Sequence, residues 1–238
     1  MLAPYADCPH SRGLPNWDGD ELARAVTAVD ALGFSPHIHA IGDAAVRMAL
    51  DAVESAHRAN GARDRRAVVA HAQLVDATDM PRFAELGVIA NFEPYWAQYD
   101  TCQAELTAPR LGPERTDRQY LIRTMLATGA AVSFGSDWPV STAAPLAGIQ
   151  VAVTRRSTEG RGHEPWLPEE RVTVDEALLA YTAGVAYQAA DHRAGTLRPG
   201  ARADVVLLAA DPRAVDPMGI EEIGVMGTWC DGRRVYSG

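Results

Sequence analysis

The chain has 238 residues, 47% of them hydrophobic and 22% charged, which is an ordinary composition for a folded globular protein. Its formal net charge of −9 argues against a nucleic-acid-binding protein, because such a protein needs a basic face to neutralise phosphates. No apolar stretch is long enough to predict a membrane span, and the first residues lack the pattern of a signal peptide. The sequence therefore predicts a cytoplasmic protein without nucleic-acid or membrane partners.

The first part of the chain alternates between predicted helices and predicted strands. After a loop over residues 1–17, the spacing of apolar residues predicts a helix that Asp18 or Asp20 caps and Gly33 ends. The elements that follow are a strand to His39, a helix over about 43–60, a strand over 67–71, a helix over 76–86 and a strand over 88–92.

The alternation continues with longer loops between the elements. A loop through Arg115 leads to a helix over about 117–128, a strand over 131–135, a helix over 144–155, a Gly/Pro-rich loop over 160–168 and a helix over 174–190. Strands and helices that alternate at this spacing predict parallel βαβ units with right-handed crossovers.

The character of the sequence changes after Gly195. A strand is predicted over 203–208, and two more over 225–229 and 233–236 flank Cys230-Asp231-Gly232, which predicts a hairpin turn. We therefore divide the chain into residues 1–194, a partial (β/α) barrel, and residues 195–238, strands of a small β-sandwich. Four βα units are too few for a closed eight-stranded barrel, so the chain has the pattern of the second half of a larger fold.

Three polar residues, His39, His71 and Asp137, stand where runs of β type give way to loops. The carboxyl ends of successive parallel strands converge at one edge, and two imidazoles with a carboxylate suit a divalent metal such as zinc. A lone histidine is more often a hydrogen-bonded core residue, and Ser136 with Asp137 has the alternative role of capping the next helix. His37 lies on the same face of its strand as His39 and is interpreted as a supporting or barrel-interior residue.

Substrate contacts are predicted from three further residues close to the strand ends. Gln73 follows His71 and can donate to a substrate carbonyl, although an ordinary loop hydrogen bond explains it about equally well. Tyr95 and Trp96 follow the third predicted strand, where aromatic side chains can line an apolar pocket.

Several stretches together resemble amidohydrolase family 3, a branch of the amidohydrolase superfamily. The resemblance implies an α/β fold, namely the C-terminal half of a metal-dependent (β/α)8 TIM-like barrel plus part of a small β-sandwich. In that family the fifth, sixth and eighth strands end in two metal-ligand histidines and an aspartate, which His39, His71 and Asp137 match. The family's first-strand His-x-His pair and its bridging lysine have no counterpart in this chain. The matching stretches are His39-Ala40-Ile41-Gly42-Asp43, His71-Ala72-Gln73, Gly135-Ser136-Asp137-Trp138-Pro139-Val140 and the segment over 195–204.

The resemblance also implies an activity: a metal-dependent hydrolase that cleaves carbon–nitrogen bonds of small non-peptide amides through metal-activated water. Asp137 then carries the proton to the leaving amine, and the cofactor is a divalent metal, with zinc the first expectation. Exposed barrel edges predict a homo-oligomer or a complementing N-terminal half as partner. The alternatives are a catalytically silent remnant or binding protein, one half of a split enzyme, and a small α/β protein with an unrelated ligand site.

Overall fold

Residues 1–159 and 164–238 are described by a computed structural model, in which they divide into two units. The first unit contains Met1–Phe92, Tyr99–Val132 and Glu159, and the second contains Glu93–Gln98, Ser133–Thr158 and residues 164–238. The first four residues of the predicted 160–168 loop lie outside the described residues. In the described part of the chain, no helix combines the length and apolarity that a membrane span requires.

The helices and strands of the first unit follow the order that the sequence predicts, with two short helices added in the long loop before residue 117. They are α1 (Gly19–Ala31), β1 (His37–Ala40), α2 (Asp43–Asn60), β2 (Val68–His71), α3 (Met80–Leu86), β3 (Ile89–Phe92), α4 (Ala108–Leu111), α5 (Pro113–Thr116) and α6 (Ile122–Ala127). A further strand, β4 (Val132–Phe134), begins at the last residue of this unit.

The four strands form one sheet in the order β1-β2-β3-β4. β1 runs parallel to β2, and β2 runs parallel to β3, with His39 opposite Ala70 and Ala70 opposite Asn91. β2 and β3 are buried along their whole length, as apolar strands in a parallel sheet are. β1 lies at an edge of the sheet, and its residues His37 and His39 are exposed.

Two amphipathic helices pack against each other in the first unit. Asp18 caps α1, because its Oδ1 atom accepts hydrogen bonds from the backbone N–H groups of Asp20 and Glu21 at 2.9 and 3.3 Å. α2 buries one apolar face, which includes Val46, Leu50 and Val53. Burial of this face holds the helix in place, because most of the stability of a helix in a protein comes from packing of its apolar face.

Local hydrogen bonds shorten two of the predicted helices. Residues 76–79 form a turn in which the Asp76 carboxylate accepts from the Thr78 N–H group at 3.0 Å, so α3 starts only at Met80. Tyr120 has φ +50 and donates its N–H to the Gln73 carbonyl at 2.8 Å, which delays α6 to Ile122. The predicted long loop before it holds α4, α5 and a π-helical turn over Gln103–Thr107.

The second unit carries the remaining elements and a separate antiparallel sheet in the order β5-β6-β7. At the predicted hairpin, Asp231 and Gly232 have φ +50 and +77, as the two central residues of a type I′ turn require. The predicted helix over 174–190 is two short helices joined by a π-helical turn over Ala180–Gly184. The boundary after residue 194 stays a prediction. The elements are α7 (Pro145–Thr154), α8 (Val174–Leu179), α9 (Val185–Gln188), β5 (Val205–Leu208), β6 (Val225–Cys230) and β7 (Arg233–Ser237).

Candidate metal centre

The first unit brings two of the predicted ligands, His39 and His71, into contact. The Nε2 atom of His71 lies 2.9 Å from the Nδ1 atom of His39, and the ring centroids are 4.4 Å apart with an angle of 69° between the ring planes. Parallel pairing of β1 and β2 causes this contact, because it aligns the carboxyl ends of both strands. The two imidazoles therefore present nitrogen atoms to each other at the sheet edge.

The backbone at His71 has an uncommon conformation. His71 and Ala72 have φ values of +73 and +43, in the left-handed region that residues other than glycine rarely adopt. Such positions cost free energy and are concentrated at functional sites. His71 is also only 5% exposed, whereas His39 on the edge strand is exposed. The His71 imidazole is thus buried, and the His39 imidazole is open to solvent.

The separation of the two nitrogen atoms is compatible with one shared metal ion. Zinc binds histidine nitrogen at about 2.0–2.1 Å, so two nitrogens less than about 4 Å apart lie within reach of a single ion. The same separation also permits a hydrogen bond between the rings, with either nitrogen as the donor depending on the tautomers. Over residues 1–159 and 164–238, no group of three or more His, Cys, Asp or Glu side chains is placed to hold a metal ion.

Asp137 lies in the second unit, in a turn after β4. Its φ is +52, again in the left-handed region, and its side chain is exposed. The alternative that Ser136 and Asp137 cap the next helix is wrong, because α7 begins at Pro145 and its N-cap residue is Ala144. The turn therefore presents the Asp137 carboxylate without committing it to a helix end.

Three hydrogen bonds fix the backbone of this turn. The Gly135 carbonyl accepts from the Tyr181 hydroxyl at 3.4 Å, and the Ser136 carbonyl accepts from the Ser141 hydroxyl at 2.8 Å. The Asp137 carbonyl accepts from the Val140 N–H group at 2.9 Å. Burial, together with the nearby Glu93 carboxylate, raises the pKa of Tyr181 well above its ordinary value. Tyr181 therefore stays protonated and remains a donor.

The predicted substrate contacts have partners within the protein. Gln73 donates its side-chain N–H to the side-chain Oε1 atom of Gln119 at 2.6 Å, so at least one of its donors is engaged. The Tyr95 hydroxyl lies 3.3 Å from that of Thr158, and both Tyr95 and Trp96 are half-buried. Gln73 is in the first unit, and the two aromatic residues are in the second.

The structure thus joins His39 with His71, and the inclusion of Asp137 in the same coordination sphere stays a prediction. The sequence interpretation missed Gln119 and Tyr181. Both are distant in sequence from the residues they contact, and neither stands at the end of a strand, so no local pattern marked them. Glu93 was visible as an acidic residue directly after the apolar β3 run, and it is 3% exposed.

Comparison with known proteins extends these observations. A model described as "Amidohydrolase family" matches residues 1–236. The chain is 36% identical over 234 residues to Protein LONG AFTER FAR-RED 3 of Arabidopsis thaliana, covering 98% of this chain and 39% of the relative. It is 28% identical over 234 residues to N-substituted formamide deformylase of Arthrobacter pascens, covering 96% of this chain and 41% of that protein.

The comparison with solved structures gives a similar result. The chain is similar to an uncharacterized metal-dependent hydrolase from Pyrococcus furiosus, with a TM-score of 0.70 and 31% identity, over 84% of this chain and 39% of that one. The chain spans about two fifths of the length of these relatives. The predicted fold class is confirmed: an α/β part of a TIM-like barrel with a separate antiparallel sheet. The chain therefore belongs to the amidohydrolase family, in the family 3 branch that its motifs indicate.

Proposed function

We propose that the chain forms part of a metal-dependent hydrolase that cleaves carbon–nitrogen bonds of small non-peptide amides. Membership of the amidohydrolase family supports a hydrolase role. His39, His71 and Asp137 are the proposed metal ligands, and the proposed metal is a divalent ion, zinc before others. The cytoplasm is the proposed location.

One observation carries the proposal: two histidine nitrogens lie 2.9 Å apart at the carboxyl ends of adjacent parallel strands. In TIM-barrel enzymes the reaction takes place at this end of the strands. The left-handed backbone at both His71 and Asp137 supports the assignment, because strained positions are concentrated at functional sites.

Each proposed residue has a chemical task. A divalent metal ion, when bound, lowers the pKa of a water ligand towards neutrality and polarises a carbonyl group. Asp137 has an exposed carboxylate, which accepts a proton from the attacking water and passes it to the leaving amine. Gln73, Tyr95 and Trp96 are the proposed contacts to substrate, with Gln73 donating its second amide proton to a carbonyl oxygen.

The name of one relative supports the class of substrate. N-substituted formamide deformylase is named for a reaction at a formamide, in which a carbon–nitrogen bond is the one to break. We therefore place N-substituted formamides first among the small amides to be tested. Because the chain spans about two fifths of this relative and exposes the edge strand β1, we propose that full activity needs a complementing N-terminal half or a further copy.

The experiment measures hydrolysis of N-substituted formamides with added Zn²⁺, by the chain alone and with a second chain that carries the upstream barrel strands. We expect little hydrolysis by the chain alone, because a half-built site cannot position substrate, and positioning supplies about 7–11 kcal/mol of barrier reduction. The second chain should raise the rate, and Asp137→Asn should abolish that rise, whereas the exposed Asp117→Asn should not. An unchanged rate in the Asp137→Asn protein would show that the proposed mechanism is wrong.

A further inference from the structure

The turn that carries Asp137 is anchored from a distant helix. Of the three hydrogen bonds to consecutive carbonyls, those from Ser141 and Val140 are made within the turn. The bond from Tyr181 to the Gly135 carbonyl instead comes from a residue 46 positions further along the chain. Tyr181 therefore ties the Asp137 turn to the rest of the second unit.

Two neighbouring residues, Phe134 and Gly148, favour the position in which Tyr181 reaches the Gly135 carbonyl. Its ring packs edge-on against Phe134, the last residue of β4, with centroids 5.3 Å apart and an angle of 73°. The Tyr181 hydroxyl oxygen lies next to Gly148 of α7, where a Cβ atom would overlap it. A side chain at position 148 would therefore displace the hydroxyl from the turn.

The helix around Tyr181 departs from regular α geometry. The π-helical turn over Ala180–Gly184 adds one extra residue between α8 and α9. The extra residue changes the direction of the side chains that follow. π-Helical turns are frequent at functional sites, where they redirect a side chain. Here the turn contains the residue that reaches Gly135.

We propose that Tyr181 is a positioning residue for Asp137: its hydroxyl holds the Gly135 carbonyl and so fixes the left-handed turn that presents the Asp137 carboxylate. This inference rests on the proposed function, in which Asp137 is a metal ligand and carries a proton. Tyr181 itself does not touch the reacting atoms in this scheme. It acts through the backbone two residues before Asp137.

The test combines hydrogen exchange with metal binding in the full chain. Tyr181→Phe keeps the ring against Phe134 and removes only the hydroxyl, and Gly148→Ala adds a Cβ atom that overlaps the hydroxyl oxygen. Tyr236→Phe is the matched control, because Tyr236 is 51% exposed on β7 and lies far from β4 in sequence. The first readout is exchange of the Val140 amide in a peptide over 133–143, and the second is the visible spectrum of Co²⁺ added alone.

We expect Tyr181→Phe to speed exchange in this peptide about fivefold to tenfold, as the loss of one net hydrogen bond predicts, with the melting temperature little changed. It should also alter the Co²⁺ ligand-field bands and weaken Co²⁺ binding about tenfold, as loss of a supporting contact does in metal sites. Unchanged exchange in the peptide, or a rise of equal size in β5–β7, would overturn the inference. If the wild-type chain binds no Co²⁺, the proposed function fails, and the exchange result alone decides whether Tyr181 anchors the turn.

Discussion

The Nε2 atom of His71 lies 2.9 Å from the Nδ1 atom of His39, although 32 residues separate the two histidines in the sequence. Parallel pairing of β1 with β2 accounts for this proximity, since Ala40 lies opposite His71 in the register. The contact is therefore a property of the sheet and not of a flexible loop. Removal of either imidazole should leave the sheet intact and change only what the sheet edge can bind.

The first prediction separates His39 from its neighbour His37. Both are exposed on β1, but the structure places His39 against His71. We expect His39→Ala to weaken Zn²⁺ binding more than about 100-fold and His37→Ala only about 10-fold, the lower end of the range of about 10–100-fold for a supporting residue. Calorimetric titration with Zn²⁺ measures both. Equal losses would make His37 a ligand as well.

The second prediction concerns a buried ion pair in the first unit. The side chain of Asp30 is fully buried and lies 3.0 Å from the Arg65 Nε atom, with Asn60 donating to its second oxygen at 2.8 Å. Asp30→Asn removes the charge that compensates the buried Arg65, so we expect a loss of about 3–5 kcal/mol in the free energy of unfolding. Urea denaturation measures this loss in the free energy of unfolding. The matched change Asp64→Asn removes an exposed carboxylate from its pair with Arg66 and should cost about 0–1 kcal/mol.

The same aspartate predicts a pH dependence of stability. Burial raises the pKa of Asp30, but hydrogen bonds from Asn60, Arg63 and Arg65 outweigh it, and the pKa of the folded protein lies below the ordinary value. The ionised Asp30 carboxylate therefore contributes its full stabilisation above the pKa of aspartate in the unfolded chain, about 3.9. This stabilisation is lost as the pH falls through the lower pKa of Asp30 in the folded protein. Urea midpoints from pH 6 downwards should fall less steeply in the Asp30→Asn protein. Parallel curves for the two proteins would contradict this assignment.

The third prediction concerns the loop that carries Tyr95 and Trp96. Gln98 is 1% exposed, donates to the Tyr95 carbonyl at 2.5 Å and accepts from the Thr158 N–H group at 2.7 Å. Gln98→Leu removes the side-chain partner of two partly buried backbone groups, so we expect a loss of about 1–3 kcal/mol by urea denaturation. Thr158→Val keeps both backbone contacts and should cost less. A Gln98→Leu protein as stable as the wild type would show that water replaces the amide.

The fourth prediction is that the chain associates with a second copy of itself or with a chain that supplies the upstream barrel strands. β1 lies at the edge of the four-stranded sheet, and edge strands promote pairing with another chain. We expect light scattering after size-exclusion chromatography to give at least twice the monomer mass, or a heterodimer when the upstream strands are supplied. A single species of monomer mass at every concentration, unchanged by the second chain, would rule out both.

The order of the elements followed from the sequence because most strands are short runs of β type bounded by turn residues. β2 and β3 are buried throughout and their sequences are almost wholly apolar, and the Asp231–Gly232 turn has the residues that a type I′ hairpin demands. His39 and His71 were predicted for the same reason, since each follows such a run.

The features that the sequence did not indicate depend on contacts between distant residues. The π-helical turn at Tyr181 differs from an α-helix by one residue, which leaves the apolar spacing almost unchanged and therefore invisible as a pattern. Neither residue type requires the left-handed backbone of His71 and Asp137, and at Asp137 the turn is held by hydrogen bonds, one of which comes from the distant Tyr181. The late start of α6 likewise depends on the hydrogen bond from Tyr120 to Gln73.

The most direct test of the proposed metal centre is the stoichiometry and affinity of Zn²⁺ binding by the wild-type chain, by a His39→Ala/His71→Ala double variant and by Asp137→Asn. His192→Ala is the control, because His192 is exposed and outside the proposed site. We predict one Zn²⁺ per wild-type and control chain, abolition of binding in the double variant and weaker binding in Asp137→Asn. Equal binding by all four proteins would contradict the assignment of His39, His71 and Asp137 as ligands of one ion.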